Sequence, residues 1–132
     1  MTVWEKSVII YLNRRMTRSS AGRKNMLREE LEETVERYDL VKRTFDSFWV
    51  CFENYLTDDI TKEESREYGL TDKDQVEVKL YGYSFVVSKK FSREFIKVDL
   101  DVYKKDSSSE FAEYYCIYSL SGECEDDYFV IT

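Results

Sequence analysis

The sequence predicts an α+β fold in which N-terminal helices, one of them long and amphipathic, pack on an antiparallel β-meander of about four strands. Two observations predict it. Apolar residues recur every three or four positions from Leu27 to Tyr55, and from Val76 onward they recur at every second position, so the hydrophobic period switches once from helical to extended. No linker-like composition, internal repeat or proline interrupts the 132 residues. One domain over 1–132 is therefore expected, with a helical part over 1–70 and a β-sheet part over 71–132.

Thr2 followed by Glu5 has the spacing of a capping box, and Trp4, Val8, Tyr11 and Leu12 then share one helical face. This predicts a helix over Val3–Arg15. The β-rich run SVIIYL, from Ser7 to Leu12, leaves a strand as the alternative for the same residues. Ser19 and Ser20 offer N-caps for the next element. From Leu27 the apolar positions run through Leu31, Val35, Tyr38, Val41, Phe45, Phe48, Phe52 and Tyr55, which predicts a helix of roughly 30 residues, about 45 Å at a rise of about 1.5 Å per residue. Its second half, rich in Phe and Trp, is the expected centre of the core. Thr61 with Glu64 forms another capping box and Gly69 suits the position after a C-cap, so a short helix is expected over Lys62–Tyr68.

Val76, Val78 and Leu80 then alternate with polar residues. Gly82 breaks the parity, and Tyr83, Phe85 and Val87 continue on odd numbers, which points to a bulge or tight turn at the glycine. Ile96, Val98, Leu100 and Val102 alternate with Lys97, Asp99 and Asp101, giving a strand with one wet face. YYCIYSL and YFVIT supply two more strands, separated by SGECEDD.

Composition narrows the function classes. Hydrophobic residues at 42% and aromatics at 16% lie outside the disordered range. Cys51, Cys116 and Cys124 have no CxxC spacing, and the lack of histidine removes the commonest partner for a zinc site or a thiol nucleophile. Reduced thiols in a cytosol are expected. The apolar run Val8–Leu12 is too short for a secretion signal, and no run approaches the roughly 20 residues that span a bilayer. A soluble, cytoplasmic protein without membrane association follows as the expectation. The net charge of -7 is unevenly spread: residues 1–30 carry seven Lys or Arg against three Asp or Glu, and the remainder thirteen against twenty-four. An acidic surplus repels phosphate backbones and attracts basic protein surfaces, which counts against general nucleic-acid binding.

The chain holds few candidates for chemistry. Glu77-Val78-Lys79, with Asp58 or Asp59, Asp72 and Asp74 upstream, resembles the E-x-K pattern in which carboxylates hold Mg²⁺ and a lysine helps to activate water. The same alternation describes any half-exposed strand, and the upstream aspartates lie in loop-like sequence. Asp99 and Asp101 share a strand face with Lys97, but two carboxylates are too few for a cation cage. There is no G-x-S-x-G, P-loop or dinucleotide fingerprint. Cys51 and Cys116 read as small core residues, while Glu123 and Glu125 should raise the Cys124 thiol pKa. The expectation is a non-enzymatic protein with no cofactor, no metal and no small-molecule substrate.

Charge clusters remain. Arg14, Arg15, Arg18, Arg23 and Lys24, in RRMTRSSAGRK, read either as a solvated connection or as a contact site for phosphate or carboxylate. A helix-turn-helix there would bring Glu32, Glu33 and Glu36 towards DNA. Glu123, Glu125, Asp126 and Asp127 crowd beside Tyr128 and Phe129, with Glu110 and Glu113 upstream, and such a surface either imitates nucleic acid or simply solubilises a turn. In general character the chain resembles the small phage-encoded anti-CRISPR inhibitors of bacterial defence nucleases: short, acidic, free of motifs and α+β. The resemblance implies an inhibitor whose partner is a larger protein with a basic nucleic-acid-binding surface, with or without bound guide RNA or DNA. The acidic residues would meet that surface and the basic ones the nucleic acid. Toxin-immunity proteins fit the same description, and a nucleic-acid-binding regulator using segment 14–24 is a further alternative.

Overall fold

The computed structural model describes residues 7–11, 26–105 and 109–132. Its elements are β1 (Ser7–Tyr11), α1 (Met26–Arg37), α2 (Leu40–Thr57), α3 (Lys62–Glu67), a 3₁₀ turn (Lys73–Gln75), β2 (Val76–Ser88), β3 (Arg93–Lys104), β4 (Glu110–Tyr118) and β5 (Cys124–Ile131). The five strands form one antiparallel sheet in the order β1-β2-β3-β4-β5. The α+β plan with a C-terminal meander is as expected, and the meander gains a strand from the N-terminal region.

That strand corrects the first helix. Residues 7–11 pair with β2 from Ser7 opposite Ser88 to Tyr11 opposite Ser84, so of the two readings of this stretch the strand holds and the helix over Val3–Arg15 does not; the rest of that span lies outside the described residues. Val8, Ile9 and Ile10 are β-branched, and a free strand edge offers a full ladder of backbone hydrogen bonds to such a run.

The single 30-residue helix is also corrected, because α1 ends at Arg37 and α2 starts at Leu40. Asp39 between them is left-handed, with φ 54° and ψ 43°, a conformation that Asp tolerates better than most side chains. Three contacts of one side chain, two of them long-range, hold the break. The Arg43 guanidinium donates to the Tyr38 carbonyl at 3.1 Å and to the Gly122 carbonyl at 2.8 Å, and it lies 5.1 Å from the centroid of the Tyr118 ring. Tyr38 rests on Gly122 in the β4–β5 turn. A Cβ at residue 122 would overlap the Tyr38 side chain, and φ there is +86°, so only glycine fits without strain.

The break also rotates the buried stripe. Leu40, Thr44, Phe48, Phe52 and Tyr55 are the buried residues of α2, so Leu40 and Thr44 replace Val41 and Phe45, which are half-buried. Thr44 is tolerated because its hydroxyl is satisfied, donating to the Leu40 carbonyl at 2.7 Å and meeting the Tyr118 hydroxyl at 2.8 Å.

Helix α3 falls where expected. Gly69 follows its C-cap at φ +77°, with Leu70 N–H on the Ser65 carbonyl and Gly69 N–H on the Arg66 carbonyl, the two bonds of a Schellman ending. Thr61 makes no side-chain cap; its hydroxyl donates to the Tyr55 carbonyl instead. The capping box that does form is Asp72 with Gln75, at the 3₁₀ turn leading into β2. The expected irregularity at Gly82 is present as a register shift between Leu80 and Gly82.

Helix α2 lies on one sheet face, where Ile96, Val98, Leu100 and Val102 of β3 and Ala112, Tyr114, Cys116 and Tyr118 of β4 are fully buried. Phe48 packs within 5.5 Å of Phe52 and meets Tyr114 edge-on at 5.4 Å, while Tyr55 meets Phe129 at 5.2 Å. Such pairs add to the burial of the rings themselves. Strand β4 is buried on both faces, and Val86, Phe95, Tyr115 and Ile117 form a second, smaller cluster on the opposite side.

Two consequences can be measured. Phe48→Ala should lower stability by roughly 3–5 kcal/mol, read by chemical denaturation, because the ring is fully buried and its neighbours cannot close the cavity. Gly122→Ala should cost on the order of 1–3 kcal/mol, and less in a Tyr38→Ala background, where the overlap is gone and only the backbone strain remains.

Candidate functional site

Strand β5 is a sheet edge: it pairs with β4, and no described strand pairs with its other side. Its orientation follows from one bond. Thr132 N–H donates to the Phe111 carbonyl at 3.0 Å, continuing the β4–β5 register by one residue beyond Ala112 opposite Ile131. Hydrogen-bonded pairs alternate along an antiparallel ladder, so the backbone groups of Asp126, Tyr128 and Val130 point to β4 and those of Asp127, Phe129 and Ile131 point outward. The Asp127 N–H accordingly turns from the ladder and is taken by the Asp126 carboxylate at 2.9 Å.

The four acidic residues expected as a contact site all lie on this edge or its turn, and all are exposed. Their surroundings differ. Glu125 forms an ion pair with Arg93 of β3, so part of its charge is spent within the fold. Asp126 accepts from the Tyr128 hydroxyl at 3.0 Å as well as from the Asp127 N–H. Asp127 accepts from the Tyr114 hydroxyl at 2.6 Å, on the helix side of the sheet. Glu123 belongs to the turn, where its backbone bonds Ser119 in both directions, at 2.8 and 3.1 Å. Burial, then the bond to Asp127, pushes the Tyr114 hydroxyl pKa far up, and burial followed by Asp126 raises that of Tyr128. Both phenols are therefore fixed as donors at neutral pH.

Across the strand, α2 contributes Asp46, Ser47, Val50, Cys51 and Asn54, which with Asp127 line a shallow cleft beside the edge. Asp46 is paired with Lys42 at 2.7 Å, and Val50 is 63% exposed. Sequence reasoning missed Asp46, Val50 and Arg93, because only helix packing and strand pairing bring them to β5.

A second acidic group lies on the sheet. Asp101, Glu110 and Glu113 each place a carboxylate oxygen within 4.8 Å of the others. Desolvation, then a hydrogen bond and the charge of Asp101, raises the Glu110 pKa. Three single oxygens fall well short of the six to eight that Ca²⁺ takes. Asp99 stands apart from them, bound to Lys97 at 3.2 Å, while Lys97 also lies 4.3 Å from the Tyr115 centroid. The second Asp99 oxygen is buried without a hydrogen-bond partner among the described residues, as is the Ser84 hydroxyl.

Glu77 and Lys79 are exposed on β2, 3.8 Å apart, with Lys79 over the Tyr103 ring. Three of the upstream aspartates are engaged elsewhere: Asp72 caps the 3₁₀ turn, Asp58 accepts from the Ile60 N–H and Asp59 pairs with Lys62, whereas Asp74 lines a cleft together with Glu77. Burial pushes the Cys51 thiol up to about 11. Cys124 is raised as expected, but by burial first, then Cys116 and Asp127, rather than by Glu123 and Glu125. The basic residues Arg14, Arg15, Arg18, Arg23 and Lys24 lie outside the described residues. Among the described residues no helix is long and apolar enough to cross a membrane. No protein-family model matches the chain, and no curated protein or solved structure is significantly similar to it.

Asp99 makes a pH-dependent prediction. Burial raises its folded-state pKa despite Lys97, so the ionised form is disfavoured by folding. Stability from this group is lowest at neutral pH and rises as pH falls through the folded pKa towards the unfolded value near 3.9. Asp99→Asn should therefore raise the Tm at pH 7, and the difference from wild type should shrink as the pH is lowered to about 4.

Proposed function

We propose that this protein is a non-enzymatic, protein-binding inhibitor whose acidic β4–β5 turn and β5 edge dock on the basic nucleic-acid-binding surface of a larger cytoplasmic protein. A bacterial CRISPR effector or another nucleic-acid-processing defence nuclease has the required surface. The observation that carries this reading is the placement of Glu123, Asp126 and Asp127 as exposed carboxylates on a strand edge and tight turn, where the backbone is ordered before any partner arrives. Ordered carboxylates lose little conformational entropy on meeting lysines and arginines, and their field speeds encounter. The residues 14–24 extend the proposal: guanidinium groups there would engage nucleic acid already bound to the partner.

Affinity and inhibition measured against a panel of purified CRISPR effectors and toxins test this. Glu123→Gln with Asp126→Asn should weaken binding to the bare partner by more than about threefold, about 0.7 kcal/mol, without lowering the Tm. Arg14, Arg15 and Arg18 replaced together by Ala should weaken binding chiefly when the partner carries its nucleic acid. Both effects should shrink with added salt, since screening acts over about 8 Å at 0.15 M. A toxin neutralised instead of a nuclease would move the protein to the immunity class, and binding unaffected by either set would remove the charge mechanism.

A further inference from the structure

We infer that the outer edge of β5 accepts an extended segment of the partner protein as a sixth strand, and that this segment carries Arg or Lys at alternate positions. The inference rests on the proposed docking face and specifies how that face is read. Three observations meet there. The backbone groups of Asp127, Phe129 and Ile131 point away from β4, and no described strand takes them. The Asp127 N–H is already satisfied by the Asp126 carboxylate, which leaves the Phe129 and Ile131 N–H groups and three carbonyls as the pairing register. Beside that register, on the helix side, Asp127 and Asp46 line the cleft together with the exposed Val50.

Side chains of an added strand alternate between the two sheet faces. Those on the helix side enter the cleft, where the aliphatic stem of an Arg or Lys lies over Val50 and its charged end reaches Asp127 and competes with Lys42 for Asp46. Those on the other side pass Asp126 and Val130, the latter 39% exposed. Charge selects a basic protein segment over a second copy of this chain, whose net charge of -7 opposes self-pairing. Charge also excludes a nucleic-acid strand at this edge.

The test uses the whole protein and an acetylated, amidated Arg-Val-Arg-Val-Arg-Val-Arg peptide, with a second peptide N-methylated at alternate residues on the side that would pair. The two have the same charge and side chains, but the second lacks the ladder donors and clashes with the edge. The expected result is binding of the first peptide with at least tenfold slower amide exchange at Phe129 and Ile131, and at least tenfold weaker binding of the methylated one. Ile131→Pro removes an outward-facing N–H and also trims a side chain packed on the core, so it is read against Ile131→Ala, which trims the same packing and keeps the N–H: the first should weaken the peptide and the second should not. Equal binding of both peptides, unchanged exchange at Phe129 and Ile131, or a dimer through this edge in sedimentation would overturn the inference. Because no nuclease is present, that failure stays separate from failure of the charge-based docking, which is read by the Glu123 and Asp126 variants against the partner.

Discussion

The aromatic stripe of α2 has to lie on the β4–β5 half of the sheet, and most of the remaining structure follows from that burial. Phe48 and Phe52 are fully enclosed and Tyr55 nearly so, with Tyr114 and Phe129 as their partners across the layer. A straight continuation of α1 into α2 does not bring Leu40 and Thr44 into the same layer. The chain turns instead at Asp39, and Arg43 ties the turn to the Gly122 carbonyl and the Tyr118 ring. One side chain thus joins the helix break, the β4–β5 turn and the core. The same packing holds Phe129 and Ile131 against the core, which aims their backbone groups and those of Asp127 outward.

The acidic character of the chain is divided between internal work and surface display. Asp72 and Asp58 cap turns, Glu125 holds Arg93, Asp99 holds Lys97, and Asp127 takes the Tyr114 hydroxyl. The more exposed of these, such as Glu125 with Arg93, contribute little stability and mainly set side-chain positions, whereas Asp99 with Lys97 is largely buried. The Asp126 carboxylate does something different. By accepting the Asp127 N–H it blunts one end of an open strand, a local protection against indiscriminate edge pairing, while Phe129 and Ile131 remain able to pair.

Edge strands are the part of a sheet where recognition and aggregation share one mechanism, and charge decides between them. Here the edge is short, acidic at one end and flanked by a helix that adds a further carboxylate. A partner that complements both backbone and charge gains two independent sources of affinity. That combination is what the proposed inhibition of a basic nucleic-acid-binding surface calls for.

The sequence by itself determined the switch from helical to extended period, the C-terminal meander, the irregularity at Gly82, the Schellman ending at Gly69 and the crowding of carboxylates near the C-terminus. Each of these depends on neighbours within a few residues, so periodicity and turn chemistry report it directly. Tertiary structure decided the rest. Residues 7–11 become a strand because β2 offers an edge 73 or more residues away, a partner no local pattern contains. Tyr38 and Asp39 interrupt the long helix although neither is Gly or Pro, because the interruption is stabilised by Gly122 and Arg43 and not by its own sequence. The apolar spacing runs on across the break, so the pattern carries no sign of it. The candidate site divides the same way: Glu123, Glu125, Asp126 and Asp127 were legible as an acidic run. That Glu125 is paired with Arg93, and that Asp127 faces Asp46 and Val50 across a cleft, depends on strand pairing and helix packing between residues more than 30 positions apart.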